Sequence, residues 1–570
     1  MKEKNTDNNR RKKIISALGG ILALTFYIIS CFVVAHNNSV AGSKNKKSPE
    51  SAAKTITIAH WQLEDGFREG IDYAIKEFEK LKAEQGERVK VIQNAIPSRG
   101  YSQWYITQLI SGNPADVIEL TPSPEIQSRY FMPLSEHIVK PNPFNKGTPC
   151  EKIAWKDTFT DGMDGALNPI FAEYFGAGIF RHCQRVYVNV DLLKAATGSE
   201  KTPETLEEWI ECCKKIEEYG QKINKPLIPI GVRGIGKTTV GMFFSRYFAQ
   251  TNNHYNDTLS LFGDARIPNL EMFTAFGEGK LDIDRMLAPV EMMHEIGKYF
   301  SEGFTTTDSQ QTKFLFFTGN VCFFPEGTWD AWSMVNNTPF KVKIIPMPSI
   351  SPTGKYKNIY SGRIYENAFG VSGKFGITKA SRHPELALEF LQFLTSWKIN
   401  QKTMMEFCKW PAVVINTEYT GFLEAMKPEI GDSKSSLQCP FFFNEKSRMK
   451  ALESIERIIT EQPENAKVTF AKDVVKNVPI LKDEFENVSS DYERQLFDME
   501  GNRTTIACNI LRSDLSDAAR KNQNIRALIA IENTIARELE RRRTIAAYNS
   551  MDKIKEQLED YISNNEESVE

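Results

Sequence analysis

Between Thr55 and Leu120 the hydrophobic pattern alternates between strand and helix periods, and that alternation restricts the chain to few folds. Thr55-Ile56-Thr57-Ile58-Ala59-His60-Trp61 alternates as a strand does. Phe67, Ile71, Ala74, Phe78 and Leu81 then recur at three- and four-residue steps, which marks one face of an amphipathic helix. Val89-Lys90-Val91-Ile92 reads as a second strand, 102–110 as a short helix and 115–120 as a buried third strand. Strand–helix–strand–helix–strand at this spacing calls for right-handed crossovers and a mainly parallel sheet. In such sheets ligands sit beyond the carboxyl ends of the strands. Those ends are Trp61-Gln62 and Glu119 to Thr121.

Further along, the pattern breaks over 122–170, where Pro, Gly and Asn are frequent, and resumes with a strand at 184–190. A helix over 203–219 follows, with Thr205 or Thr202 as its cap and Glu207 and Glu208 in its first turn. Strands are expected at 227–232, 314–324 and 342–345, and helices from 233 to about 250 and over 384–397. Beyond Ser447 the chain turns to charged helices. The last, over 513–564, carries Ile525, Leu528, Ile535, Leu539, Ile545, Ile554 and Leu558. Those spacings fit a one-sided amphipathic helix rather than a strict heptad seam, which Arg542 and Asn549 interrupt.

The N-terminus bears on the compartment. Arg10-Arg11-Lys12-Lys13 precedes 22 uncharged residues, Ile14 to Ala35, and about 20 apolar residues span a hydrocarbon core as a helix. The basic flank stays cytoplasmic, so the main body lies outside the cell membrane. Three forms of this segment fit: an uncleaved signal anchor, a lipobox at Ile28-Ile29-Ser30-Cys31 with Cys31 acylated, or cleavage after Ala35. Residues 36–54 then read as a tether. With 71 basic and 73 acidic residues the chain is no polybasic nucleic-acid coat. Its nine cysteines show no C-x-x-C and no metal-ligand spacing, so no metal or other cofactor is expected.

Several segments, in order, resemble the carbohydrate-type extracellular solute-binding proteins of ABC importers, the maltose-binding-protein-like group. They begin with Ile56-Thr57-Ile58 leading to Trp61, then Pro114-Ala115-Asp116-Val117, Asn189-Val190-Asp191-Leu192-Leu193 and Pro203-Glu204-Thr205-Leu206-Glu207-Glu208-Trp209. Phe317-Thr318-Gly319-Asn320 with Gly327-Thr328-Trp329 follows. Ile377-Thr378-Lys379 with His383-Pro384-Glu385-Leu386-Ala387, Phe390-Leu391-Gln392-Phe393-Leu394 and Trp410-Pro411-Ala412-Val413 complete the series. The group commonly has Tyr directly before the Asn; here Val188 stands there and Tyr187 one residue earlier, on the opposite strand face. The tail after Ser447 has no counterpart in the group's pattern.

The resemblance implies an α/β, two-lobed periplasmic-binding-protein-like fold of type II with discontinuous lobes and a helical C-terminal extension. Expected bounds are 55–170 and 313–375 for the first lobe, 171–312 and 376–446 for the second, and 447–570 for the extension. It also implies capture of a sugar or oligosaccharide by hinge closure and delivery to an ABC permease, with no catalysis. Such a clamp needs rings to stack on sugar faces and planar polar groups to bond hydroxyls. Trp61, Trp329 and Trp410 are the candidate rings, and Glu119, Arg181, Arg233, Arg363 and Asn367 the candidate polar contacts.

One motif points elsewhere. Gly231-Val232-Arg233-Gly234-Ile235-Gly236-Lys237-Thr238 matches G-x-x-x-x-G-K-[ST] after an apolar strand and before a helix. A phosphate cradle, and with it an ATPase or kinase, is the main alternative function; a secreted carbohydrate-active enzyme is the other. Export of the body and the lack of a downstream apolar run ending in a magnesium-holding Asp count against the cradle.

Overall fold

Alternation at the start of the body produces β1 (Lys54–His60), α1 (Phe67–Glu84), β2 (Val89–Ala95), α2 (Ser98–Ser111) and β3 (Val117–Glu119). The structure, a computed structural model, describes residues 53–121, 124–168, 173–234, 237–255, 259, 269–363, 371–429, 439–511 and 517–566. The apolar segment 14–35 with Cys31, and Asn367, lie outside the described residues. On α1 the expected stripe is wholly buried at Phe67, Ile71, Ala74 and Phe78 and half-buried at Leu81. β1 and β3 run parallel, Ile58 opposite Val117 and Ala59 opposite Ile118. The Asp116 carboxylate accepts the Thr57 N–H at 2.8 Å and the Ser381 hydroxyl at 2.6 Å, which ties a distant segment to this sheet.

The chain divides into two units. Met1–Thr55 with Glu79–Lys90 is the smaller, in which Glu87 accepts from Lys82 at 3.0 Å and from Lys54 at 3.5 Å. Ile56–Phe78 and Val91–Glu570 form the larger. Its principal later strands are β4 (Ala177–Phe180), β5 (Gln184–Asn189), β6 (Ile228–Ile230), β7 (Val321–Gly327), β8 (Val342–Ile345) and β9 (Ser372–Ile377). One sheet has the order β2-β1-β3-β9-β4 and the other β8-β5-β7-β6. Parallel pairing is not general. β9 is antiparallel to both β3 and β4, β5 is antiparallel to both β7 and β8, and only β6 and β7 run parallel in the second sheet.

These pairings divide the chain differently from the expected segments. Residues 321–345, placed in the first lobe by the sequence, supply β7 and β8 to the second sheet. Pro384–Leu394, placed in the second lobe, packs on first-lobe segments: the Asn142 side-chain amide donates to the Gln392 carbonyl and the Trp155 indole to Thr395. The expected strand at 314–324 is also split. Asp308 and Gln311 form a capping box that starts a helix over Ser309–Phe317, and Gly319, at φ 74°, turns the chain before β7. A short run such as Phe314-Leu315-Phe316-Phe317 carries no period that separates helix from strand.

The helices of the second lobe are α3 (Leu206–Lys222), α4 (Thr238–Asn252), α5 (Asn269–Gly277) and α6 (Ile283–Gly297), and the extension forms α7 (Glu445–Glu461), α8 (Ala466–Ile510) and α9 (Asp517–Glu566). Thr205 caps α3 by accepting the Glu208 N–H at 3.2 Å. Trp209 stacks on Phe243 of α4 at 5.4 Å. The extension does not stand apart from this lobe. Leu452, Ile455 and Ile458 of α7, Phe470 and Phe485 of α8 and Met551, Ile554 and Leu558 of α9 are completely buried in one core with Phe243, Phe244, Phe273 and Met293. Polar ties repeat the contact: Gln557 donates to the Phe276 carbonyl at 3.1 Å, Lys467 to Asp284 at 2.9 Å, and Arg543 pairs with Glu271 at 3.0 Å. Of the expected α9 stripe, Ile554 and Leu558 are buried, Ile545 is half-buried and Ile535 and Leu539 are exposed, while the side chains of Ile525 and Leu528 lie outside those described.

A shared core makes the extension a structural part of the second lobe. Leu452→Ala is expected to cost about 2–5 kcal/mol, as truncation of a fully buried Leu does. Urea unfolding followed by circular dichroism checks this, and a separate transition for the extension, or a loss under about 1 kcal/mol, contradicts the shared core.

Candidate functional site

The chain passes from the first sheet to the second through Arg181-His182-Cys183, between β4 and β5. Arg181, 1% exposed, donates Nη1 to the Thr160 hydroxyl at 2.8 Å, and its backbone N–H reaches the Pro411 carbonyl at 3.4 Å. Cys183 N–H donates to the Thr328 hydroxyl at 3.2 Å, and Thr328 N–H returns a bond to the Cys183 carbonyl at 2.9 Å. Between these clamps the His182 ring lies edge-on to Trp329 at 5.1 Å and to Trp410 at 4.9 Å. Burial pulls its imidazole down to about 3, so the ring is neutral, and its Nδ1 has no hydrogen-bond partner.

Trp410 and Trp329 have different surroundings. Trp410 is fully buried against Phe67 and Phe180, with ring centroids at 5.4 and 5.0 Å, and its indole N–H donates to the Trp329 carbonyl at 3.3 Å. The expected ligand ring at Trp410 is instead a packed support, because no face of it is open. Trp329 is half-buried and lies over Gly327 so closely that a Cβ there would stand 2.2 Å from its ring. Only glycine admits that approach.

On the first sheet, Trp61 and Glu119 meet at the carboxyl ends of β1 and β3, as the pattern requires. The half-buried Trp61 ring lies edge-on to Tyr101 at 4.9 Å, and its N–H donates to Glu119 Oε2 at 3.3 Å. Glu119 is completely buried; among the described residues it pairs with no cation and instead accepts from the Gln62 side-chain amide at 2.6 Å. Desolvation raises its carboxyl to about 8, against the pull of the Gln62 and Trp61 bonds. Tyr101 completes the corner by donating its hydroxyl to the Glu119 carbonyl at 2.6 Å.

The second sheet brings a charged group to its own strand ends. Arg233, just past β6, stands 3.5 Å from Glu326 near the end of β7. Glu326 is 1% exposed; its Oε1 accepts the Gly327 N–H at 3.0 Å and its Oε2 has no partner. Burial lifts this carboxyl to about 7 although Arg233 opposes the shift. Next to it Lys313 pairs with the buried Asp330, whose carboxyl burial also raises. Glu64, in the loop after β1, has a raised carboxyl and an unpartnered Oε2, and feels the charges of both Asp330 and Lys313. Asp65 acts on Asp330 in turn. The loop after β1 of the first sheet and the end of β7 in the second therefore stand within electrostatic reach of each other.

Sequence reasoning placed Trp61, Gln62 and Glu119 at strand ends and named Trp329 and Arg233 as candidate contacts. It missed Glu64, His182, Lys313, Glu326 and Asp330. Arg363 is exposed and pairs with Glu429, and Arg181 belongs to the crossing. Tyr187 is buried with its hydroxyl on the Gly327 carbonyl at 2.9 Å, which fits its displaced register. Among the described residues, no group of three or more His, Cys, Asp or Glu is placed to hold a metal ion.

The G-x-x-x-x-G-K-T segment has the expected strand before it and helix after it, but its contacts are occupied by the chain itself. Lys237, at φ 55°, pairs with Glu456 of α7. A Cβ on Gly234 would stand 2.3 Å from the Phe304 carbonyl oxygen, so backbone covers that part of the loop. Ile235 and Gly236 lie outside the described residues.

Known proteins agree with this architecture. The model of the bacterial extracellular solute-binding protein family matches residues 63–400. No curated protein sequence matches the chain. Among solved structures, a chitin oligosaccharide binding protein is 13% identical with a TM-score of 0.52, over 74% of this chain and 97% of its own. A structure from work on xylan utilization by the thermophilic bacterium Caldanaerobius polysaccharolyticus is 12% identical with a TM-score of 0.51, over 74% and 98%. The apo form of RafE from Streptococcus pneumoniae is 16% identical with a TM-score of 0.50, over 74% and 98%. At these identities the likeness is one of fold, the two-lobed type II form with discontinuous lobes. Matched over more than half of its length, the chain belongs to the family of bacterial extracellular solute-binding proteins.

Proposed function

We propose that the protein captures a sugar or oligosaccharide between its two lobes, outside the cytoplasmic membrane, and delivers it to an ABC permease. The N-terminal apolar segment holds it to that membrane, as a helix or through an acylated Cys31. The observation that carries the proposal is a half-buried indole and a buried carboxylate at the strand ends of each sheet: Trp61, whose backbone N–H donates to Glu119, and Trp329, whose ring lies over Gly327, the residue whose N–H donates to Glu326. Indoles cover the apolar faces of a pyranose, and acceptors with open lone pairs take its hydroxyls. The relatives add support: one is a chitin oligosaccharide binding protein, and another comes from work on xylan utilization.

Capture requires no bond to form or break. A ligand touching both sets of groups favours the closed form by its differential contact, and a preference of about 10⁴-fold nearly completes the switch. His182 and the Cys183–Thr328 bonds serve as the joint about which the lobes turn, and Trp410 holds the Trp329 backbone to that joint.

A melting screen over xylo-, chito- and raffinose-type sugars tests the proposal. One or a few of them are expected to stabilise the protein, by about 2.7 kcal/mol at a ligand concentration of about 100 Kd, with no product formed. Trp329→Ala is expected to weaken that binding roughly thirtyfold or more, the effect of losing a central aromatic contact. Turnover of a glycan, or no shift with any sugar, contradicts the proposal.

Magnesium ATP separates the nucleotide alternative. It is expected to leave the melting temperature unchanged, because Lys237 is committed to Glu456. Lys237→Ala itself is expected to lower stability by about 1–3 kcal/mol, since it leaves a buried carboxylate without its partner. A stabilisation by ATP that vanishes in Lys237→Ala favours the phosphate cradle instead.

A further inference from the structure

One face of α8 looks to solvent along most of the helix. Lys476, Pro479, Asp483, Ser490, Arg494 and Phe497 recur at three-, four- and seven-residue steps and are all exposed, so they form a single stripe. Val478, Leu481 and Phe485 lie on the other side, buried in the second lobe. Toward its N-terminal end the stripe borders a groove of about 570 Å³ between α7 and α8. Met449, Pro479 and Ile480 make the apolar part of its lining, and Lys446, Lys450 and Asp483 the charged part. Farther along the same face stands Phe497, 78% exposed. A large apolar ring held out in water and an apolar groove are each the kind of surface that a partner covers.

Ring and groove cannot meet within one chain. Ile480 and Phe497 are 17 residues apart on one helix, about 26 Å at 1.5 Å per residue. A second copy lying antiparallel on the same face brings them together. A two-fold axis level with Val488-Ser489, midway between them, sets Ile480 of each copy against Phe497 of the other.

The apolar match fixes a register, and the charges agree with it. Asp483 and Arg494 each lie three residues inside the apolar pair, so the same axis sets them level with one another. Lys476 comes within one residue of the level of Glu500. Opposite charges meet in both cases, and all four side chains are exposed. In the single chain Asp483 stands 3.8 Å from Lys446, and Arg494 pairs with Asp491 of its own helix at 2.9 Å. A parallel pair lacks this agreement. It sets each charge against its own copy and leaves ring and groove about 26 Å apart.

We propose that two copies of the protein associate through this face of α8 as an antiparallel, two-fold pair. Phe497 of each copy fills the groove of the other, and Asp483 pairs with Arg494 across the interface. Every contact is made twice, so each substitution counts twice. The pairing is independent of what the lobes bind.

Sedimentation velocity of the full chain in mild detergent, over a wide range of concentration, is expected to show a monomer–dimer equilibrium. Phe497→Ser is expected to weaken it about tenfold or more, the effect of losing a central aromatic anchor. Its melting curve stays unchanged, because the ring is exposed in the single chain. Asp483→Arg and Arg494→Asp each weaken the pair, and a chain carrying both regains it, since the double reversal restores both ion pairs. A second measurement avoids detergent: Ser490→Cys, in a chain also carrying Cys508→Ser, is treated with a short bismaleimide in membranes. The two copies of residue 490 lie three residues apart in level, about 4.5 Å, so a crosslinked pair is expected. No dimer by sedimentation and no crosslinked pair together overturn the proposal. A dimer or crosslink indifferent to Phe497→Ser overturns it as well. A pair lost in both single reversals and not regained in the double one overturns the antiparallel register.

Discussion

Three residues carry the backbone from one sheet to the other, and the rest of the binding architecture is built against them. Arg181 is anchored to Thr160, Cys183 exchanges two hydrogen bonds with Thr328, and His182 between them meets both Trp329 and Trp410. Each contact comes from a distant part of the sequence. Thr328 and Trp329 follow the end of β7, and Trp410 enters from a segment that packs its ring on Phe67 of the first lobe. The crossing thus sets the register between the lobes and the ring nearest the joint. A change there acts on both halves at once, whereas a change in either sheet interior acts on one.

Buried carboxylates give that arrangement its chemical character. Taking Glu119 and Glu326 out of water raises their carboxyls to about 8 and about 7, so near neutral pH each is poised between donor and acceptor. Folding tolerates this because each has a partial partner, Gln62 and Trp61 N–H for Glu119, Gly327 N–H and Arg233 for Glu326. Both Glu119 oxygens accept a bond, whereas Glu326 keeps its Oε2 without a partner. The protein therefore keeps, near the end of β7, a buried carboxylate oxygen whose hydrogen bond is not made within the described residues.

What the sequence revealed was mostly framework. Asn189 of the N-x-D-L segment caps a helix by accepting the Leu192 N–H at 3.0 Å, Thr205 caps α3, Asp116 ties β1 to the Ser381 turn, and Pro384 opens the Pro384–Leu394 helix. These residues answer local demands, so their spacing is readable. Glu326 and Lys313 answer to partners that the fold brings in; Glu326 is one charge in the apolar run of β7 and Lys313 one charge at the border of a polar and an apolar run, and neither carries a pattern. The lobe boundaries failed for the same reason. Which sheet receives β7 and β9 is decided by pairing with β5, β6, β3 and β4, and nothing within those strands records it. Gly231 to Thr238 shows the converse. The spacing of a phosphate loop was legible, but its lysine is claimed by Glu456, 219 residues away, and no local pattern announces that.

The ion pair to Glu456 leads to a last mechanical point. Because the bases of α7, α8 and α9 share the core of the second lobe, that lobe cannot turn without the extension turning with it. Helices α8 and α9 have 45 and 50 residues, about 68 and 75 Å at 1.5 Å per residue. Among their described side chains the buried ones lie toward one end, whereas Phe497 of α8 and Ile535 of α9 farther along are largely exposed. A pair of packed helices anchored at one end acts as a lever. A rotation of the lobe by about 10° sweeps a point about 60 Å from the axis through roughly 10 Å. Any rotation of the second lobe would therefore become a large displacement at the far end of the extension.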